Sequence, residues 1–184
     1  MKKLRIQFMV ILLIVLISLV ACGGQETVSS YTTHTTEDGV TFEYPENWVI
    51  DTSNTNEVNL ASSQEILDSD SIASGAAGMI FSTSAEFVSD DMATTLDSLV
   101  TLMTEGEETG IRVVEPARSV TINEQEGMRV KLAGDDNGVD VTLTATVLSH
   151  ADKLVFVMLV FDNATTADMA PIVTHIENSI VIGE

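Results

Sequence analysis

The sequence predicts an α+β domain, a mainly antiparallel twisted sheet of about six to eight strands flanked by two main helices. Three observations carry that reading. Leu154 to Phe161 is apolar throughout, with Leu154, Phe156, Met158 and Val160 on one side and Val155, Val157, Leu159 and Phe161 on the other. Such a run is a central strand covered on both faces. The residues before it read as strands joined by hairpin turns, and two stripes of helical period, one ahead of those hairpins and one after the central strand, supply the covers.

Taken in order, Val40-Thr41-Phe42-Glu43-Tyr44 alternates at period two and is stopped by Pro45, after which Trp48-Val49-Ile50 resumes an extended apolar run. Val58 to Ala61 is a short strand. Ala76 to Ser82 is another, entered through Ser74-Gly75-Ala76-Ala77-Gly78. Those glycines lack both the GxGxxG spacing and the terminal Gly-Lys-Ser/Thr of a phosphate loop, so they serve close packing in a sheet. Met92, Leu96, Leu99, Val100 and Met103 fall on one face of a helix, with Asp90 and Asp91 at its favourable N-terminal end and Gly106 as its stop. The methionines are core filler.

Ser119 to Ile122, Met128 to Gly134 and Val139 to Ser149 read as three strands, joined through Asn123 to Gly127 and through Asp135-Asp136-Asn137-Gly138. Asn-Gly is a strong type I′ signal. The last helix is expected over Asp168 to Asn178, with Met169, Ile172, Ile176 and Ile180 on its apolar stripe and Pro171 in its opening turn. Ile180 to Ile182 leaves it as a short extended piece.

The segment Gly39 to Trp48, reading Gly-Val-Thr-Phe-Glu-Tyr-Pro-Glu-Asn-Trp, resembles the opening of PsbP-like domains. That family includes the extrinsic photosystem II protein PsbP and many bacterial lipoproteins. The resemblance extends over roughly residues 38 to 182 in its order of elements, ending in a Ser-Ile motif at Ser179-Ile180. It departs at the hairpin, where this chain has Asn123-Glu124 in place of the family's frequent Asn-Gly. It implies an α/β/α sandwich and a non-catalytic binding role, and it transfers no catalytic or metal residue.

Leu19-Val20-Ala21-Cys22 resembles the lipobox of bacterial lipoproteins, whose cysteine receives a diacylglyceryl thioether and is then N-acylated, typically with palmitate. Lys2, Lys3 and Arg5 form a positive n-region, and Phe8 to Val20 an apolar h-region of 13 residues ending in small residues. A transmembrane helix needs roughly 20 apolar residues. The expectation is therefore a cleaved signal peptide at 1–21, a flexible tether with lipidated Cys22 at 22–37, and one PsbP-like domain at 38–184. The tether, rich in Gly, Ser and Thr, would hold the domain within roughly 20 to 25 Å of the bilayer. His34 lies in it as a solvated residue. Acyl chains contribute about 0.8 kcal/mol per buried methylene, and two chains anchor stably. Inner and outer membrane both stay open.

Cleavage leaves 163 residues, the size of one domain. Cys22 is the only cysteine, so a lipidated mature chain has no disulfide, thiol nucleophile or cysteine-held metal. No GxSxG, SxxK or HExxH pattern is present. His150 is placed in a turn and His175 beside the last helix's stripe, with nothing to bring them together. The mature chain keeps five basic residues, Arg112, Arg118, Arg129, Lys131 and Lys153, against 28 acidic ones, a net charge of −23. Nucleic acid and bare anionic lipid are repelled. Asp135, Asp136 and Asp140 around the Asn-Gly turn are the candidates for a divalent-cation site, although they miss the spacing of a calcium loop. No cofactor is implied. The sequence thus points to a membrane-anchored, extracytoplasmic, non-catalytic module of the cell envelope that docks on a protein partner. The alternatives are an envelope hydrolase of unknown substrate and a divalent-cation-binding lipoprotein.

Overall fold

A computed structural model describes residues 28, 30–69, 72, 74–85, 91–104 and 110–183. The expected signal peptide, Cys22, Asp90 and Gly106 lie outside the described residues. In chain order the elements are β1 (Tyr31–Thr35), β2 (Val40–Pro45), β3 (Val49–Asn54), β4 (Glu57–Ala61), α1 (Gln64–Leu67), β5 (Ala76–Ser84), α2 (Met92–Thr104), β6 (Arg112–Ile122), β7 (Gln125–Asp136), β8 (Val139–His150), β9 (Lys153–Asp162), a 3-10 turn (Asn163–Thr165), α3 (Thr166–Ser179) and β10 (Val181–Ile182).

A seven-stranded sheet runs β3-β4-β5-β9-β8-β7-β6, and a three-stranded one runs β1-β2-β10. Every pairing in both is antiparallel. β9 is the middle strand of the large sheet, and its two apolar faces are used as their alternation demands. Val155, Val157, Leu159 and Phe161 pack into a core with Met169, Ile172, Val173 and Ile176 of α3 and with Val40 and Phe42 of the small sheet. Leu154 and Phe156 pack into a second core with Leu96, under the α2 stripe of Met92, Leu99, Val100 and Met103. One main helix therefore covers each face.

α2 starts where Asp91 accepts a hydrogen bond from the Thr94 N–H at 2.9 Å. That donation is the largest influence on Asp91, holding its carboxyl below the ordinary range. α3 begins two residues earlier than expected, at Thr166, because it follows directly on a 3-10 turn that Asp162 caps by accepting from Ala164 N at 2.8 Å. Pro171 therefore sits inside the helix and not in its opening turn, where it costs one backbone hydrogen bond.

Part of the expected tether is structured: Tyr31–Thr35 is a strand paired with β2, and Val28 packs against the core. Its β-branched threonines favour extended backbone, and Thr36 closes the β1–β2 turn by accepting from Val40 N at 3.0 Å. His34 is consequently half-buried, its ring centroid 5.6 Å from that of Phe42, and not solvated. Trp48 is 4% exposed in the α3-side core. Gly78 lies where a Cβ would stand 2.4 Å from Leu159 Cδ2 and 3.0 Å from the Met158 carbonyl, the close approach its sequence context suggested.

Candidate functional site

The two faces of the large sheet leave different openings. On the α2 side, a cross-strand row Leu132–Leu143–Val160–Ala77 runs from β7 to β5, from the edge of the α2 core, to which Leu132 and Leu143 belong, to the small cluster around Ile66 and Ile72. With Ile66, Ile72 and Ile111 it lines a hollow of about 520 Å³. Gly134 permits one wall, since a Cβ there would meet Ile111 Cγ1 at 2.9 Å. Among the described residues the polar lining is Ser69, Asp135, Asp136 and Asn137, with no histidine, lysine, arginine or cysteine. An apolar floor with an acidic rim can hold a side chain.

Of the three aspartates proposed as cation ligands, Asp135 and Asp136 line that rim. Asp135 accepts from Gly138 N at 2.8 Å and Asp136 from Ile72 N at 2.5 Å. Asp140 faces Asp135 across the hairpin. Among the described residues no group of three histidine, cysteine or acidic side chains is placed to hold a metal. Asn137 and Gly138 adopt φ 53° and 89°, the type I′ turn expected there, and Asp135 closes it.

On the α3 side, the helix covers β9 but leaves β7 and β6 beside it. There the strand pattern turns polar. Thr142, Thr144 and Thr146 alternate along β8 and are buried, while Arg129 and Lys131 stand next to them on β7. Arg118 of β6 lies opposite Arg129. Arg118, Arg129, Lys131 and Thr144, with Thr174 and Glu177 of α3, line a groove of about 170 Å³. Arg129 Nε donates to Thr146 Oγ1 at 3.2 Å, Thr146 Oγ1 donates to Glu177 Oε1 at 3.0 Å, and Arg129 Nη2 stands 3.1 Å from Glu177 Oε2. That last contact is an ion pair without hydrogen-bond geometry, so the buried Nη2 has no hydrogen-bond acceptor. Lys131 pairs with Glu115 at 3.3 Å on the surface. Burial pushes the Glu177 carboxyl above its ordinary range, and Arg129, Thr146 and Arg118 offset part of that rise. Sequence reading listed these cations without placing them together. The overlooked signal is the matching alternation of Arg129-x-Lys131 and Thr142-x-Thr144-x-Thr146.

The histidines do not converge into a catalytic pair. His150 ends β8 opposite Lys153. His175 Nε2 is 2.8 Å from Glu43 Oε2, with the Tyr31 ring centroid 3.8 Å from its own. Glu43 N donates to Ser179 Oγ at 2.8 Å, while that hydroxyl donates to Ile176 O at 2.7 Å. The cluster ties α3 to the small sheet.

A sheet with one helix on each face and a small sheet beside α3 defines a PsbP-like α+β fold. Among solved structures, the chain is similar to the cyanobacterial PsbP (CyanoP) of Synechocystis sp. PCC 6803, with a TM-score of 0.58 at 14% identity over 89% of this chain and 98% of that one. It is also similar to LpqN of Mycobacterium tuberculosis, described as involved in cell envelope biogenesis, with a TM-score of 0.58 at 10% identity over 84% and 91%. A third similar structure is PA94 of Pseudomonas aeruginosa, a protein of unknown function and putative regulator, with a TM-score of 0.53 at 12% identity over 85% and 99%. No family model and no curated protein matches the chain.

Proposed function

We propose that this chain is a lipid-anchored, extracytoplasmic, non-catalytic binding module that docks on a protein of the cell envelope. The observation that carries the reading is the hollow at the β7–β8 turn, whose aliphatic floor and acidic rim suit an apolar side chain flanked by lysine or arginine. The lipobox at Leu19 to Cys22 supplies the address, and the similarity in fold to an envelope-biogenesis protein is in keeping with it.

The anchor is tested by metabolic labelling with a fatty acid. Wild-type protein is expected to label, and Cys22→Ala to lose both label and signal cleavage while the domain still folds. Docking is tested in intact cells with a photoreactive residue at the exposed Ser69 on the hollow's rim. A control carries it at the exposed Asp152 in the β8–β9 turn. One envelope protein is expected to cross-link from position 69 and not from 152, and to be lost when Leu143→Glu charges the floor. Identical capture from both positions, or turnover of ester or phosphoester substrates by the purified protein, overturns the reading.

A further inference from the structure

We propose that the groove between α3 and the β6–β7 hairpin is an anion site for a compact oxyanion of phosphate type, independent of the hollow on the other face. Charge placement is the first argument. Of the five cations left after signal cleavage, Arg112, Arg118, Arg129 and Lys131 all lie on this one hairpin. The fifth, Lys153, is spent on the Asp38 and Gly183 carbonyls, to which it donates at 2.6 and 3.3 Å. In a chain with 28 acidic residues, three of those cations, Arg118, Arg129 and Lys131, line one groove.

The second argument is the pairing inside the groove. Arg118 and Arg129 occupy directly opposite positions of an antiparallel ladder, an arrangement that is destabilising for like charges unless an anion lies between them. Glu177 is attracted to both. Lys131 adds a third cation and Glu115 a second carboxylate, so the groove is left with one positive charge in excess. Arg129 Nη2 is buried and donates no hydrogen bond, while the exposed guanidinium of Arg118 borders the opening. Guanidinium forks match the oxygens of phosphate and carboxylate.

Size selects the ligand. About 170 Å³ is well below the roughly 300 to 1,000 Å³ of sites that enclose a drug-sized molecule. A phosphate group fits, free or at the end of a larger molecule. The surrounding negative charge opposes entry, so affinity of roughly millimolar order is expected, the range in which about 4 kcal/mol of binding suffices.

The test is thermal denaturation of the purified full-length lipoprotein in neutral detergent. Inorganic phosphate, and separately glycerol phosphate as the smallest phosphomonoester, are titrated against chloride at matched ionic strength. A saturable rise in melting temperature is expected with phosphate. If glycerol phosphate saturates as well, the site takes phosphate at the end of a larger molecule; if it does not, the site takes the free ion. Arg118→Gln and Lys131→Gln, substitutions of exposed or half-exposed side chains, are expected to weaken the apparent affinity at least fivefold. Glu177→Gln removes the competing carboxylate and is expected to tighten it at least threefold. A rise that does not saturate, or an affinity unchanged in both Arg118→Gln and Lys131→Gln, overturns the proposal whether or not Glu177→Gln folds.

Discussion

Glu177 Oε2 on α3 lies 3.1 Å from Arg129 Nη2 on β7, with the carboxylate side chain 4% and the guanidinium side chain 19% exposed. Neither charge is free to leave. Burial raises the Glu177 carboxyl's pKa above its unfolded value, and Arg129 is the largest influence pulling it back.

Removing the cation therefore costs more than the pair contributes. Arg129→Gln is expected to destabilise the protein by about 3 kcal/mol at pH 7, because a carboxylate is left buried without its partner. Without Arg129 the Glu177 pKa rises further. The folded state then binds a proton where the unfolded state does not, so stability rises as pH falls from neutral through the raised folded pKa toward the ordinary carboxylate range. The deficit of Arg129→Gln relative to wild type is expected to shrink on going from pH 7 to pH 5 in urea denaturation. A deficit that stays constant would mean that the loss is one of packing alone.

Trp48 is the only tryptophan and is 4% exposed beside Phe42 and Val58 in the α3-side core. Its Nε1 has no hydrogen-bond partner, so the ring sits in an apolar environment without a polar handle. Native emission is expected to be blue-shifted and to move red in a single transition with the loss of far-ultraviolet circular dichroism. Emission typical of free indole in the native state would contradict this placement.

The β6–β7 hairpin turns on two residues, Asn123 and Glu124, at φ 47° and 68°. Asn tolerates the left-handed region, whereas a glutamate there carries a strain of roughly 1 kcal/mol. Asn123 is also held from outside, its side-chain amide donating to the Asn178 and Ile180 carbonyls at 2.9 Å each. Glu124→Gly is expected to raise stability by about 0.5 to 1 kcal/mol, read from the denaturation midpoint at constant slope, while Asn123→Ala lowers it. An unchanged or lower midpoint in Glu124→Gly would show that Glu124 makes a compensating interaction.

What could be read beforehand was whatever depends on a local period. β9 was legible because both of its faces are apolar, and α2 because Met92, Leu96, Leu99, Val100 and Met103 repeat at helical spacing. The Asn137-Gly138 turn was legible from its own two residues. β1 was not, since Tyr31-Thr32-Thr33-His34-Thr35 carries little apolar contrast and is fixed by pairing with β2. The far end of β6 was missed for a related reason. Its residues are almost all exposed, it contains Pro116, and its register shifts twice against β7, features of an edge strand that dilute period-two contrast. The cationic groove depends on Glu177 meeting Arg129 and Thr146 from a different layer, a juxtaposition that no single stretch encodes.

The acidic surface gives the last prediction. A folded chain of about this size has a radius of gyration of roughly 15 Å, comparable to the Debye length of about 10 Å at 0.1 M salt. Its carboxylates therefore repel one another across the fold, which opposes the compact state. Sodium chloride screens that repulsion, so stability is expected to rise with added salt. The β7–β8 turn separates plain repulsion from cation binding. Asp140 stands directly opposite Asp135 in the ladder, and like charges so placed cost roughly 0.2 to 1 kcal/mol. With no cation bound, Asp140→Asn removes that repulsion and raises the melting temperature, and calcium and magnesium at matched ionic strength act alike without saturation. Asp136→Asn behaves differently, because Asp136 accepts the Ile72 N–H at 2.5 Å and the neutral amide is a weaker acceptor, so a small loss is expected that calcium does not change. If calcium instead gives a saturable rise that magnesium does not, and both substitutions abolish it, the aspartates of this turn hold a cation and the surface is more than a solvated coat.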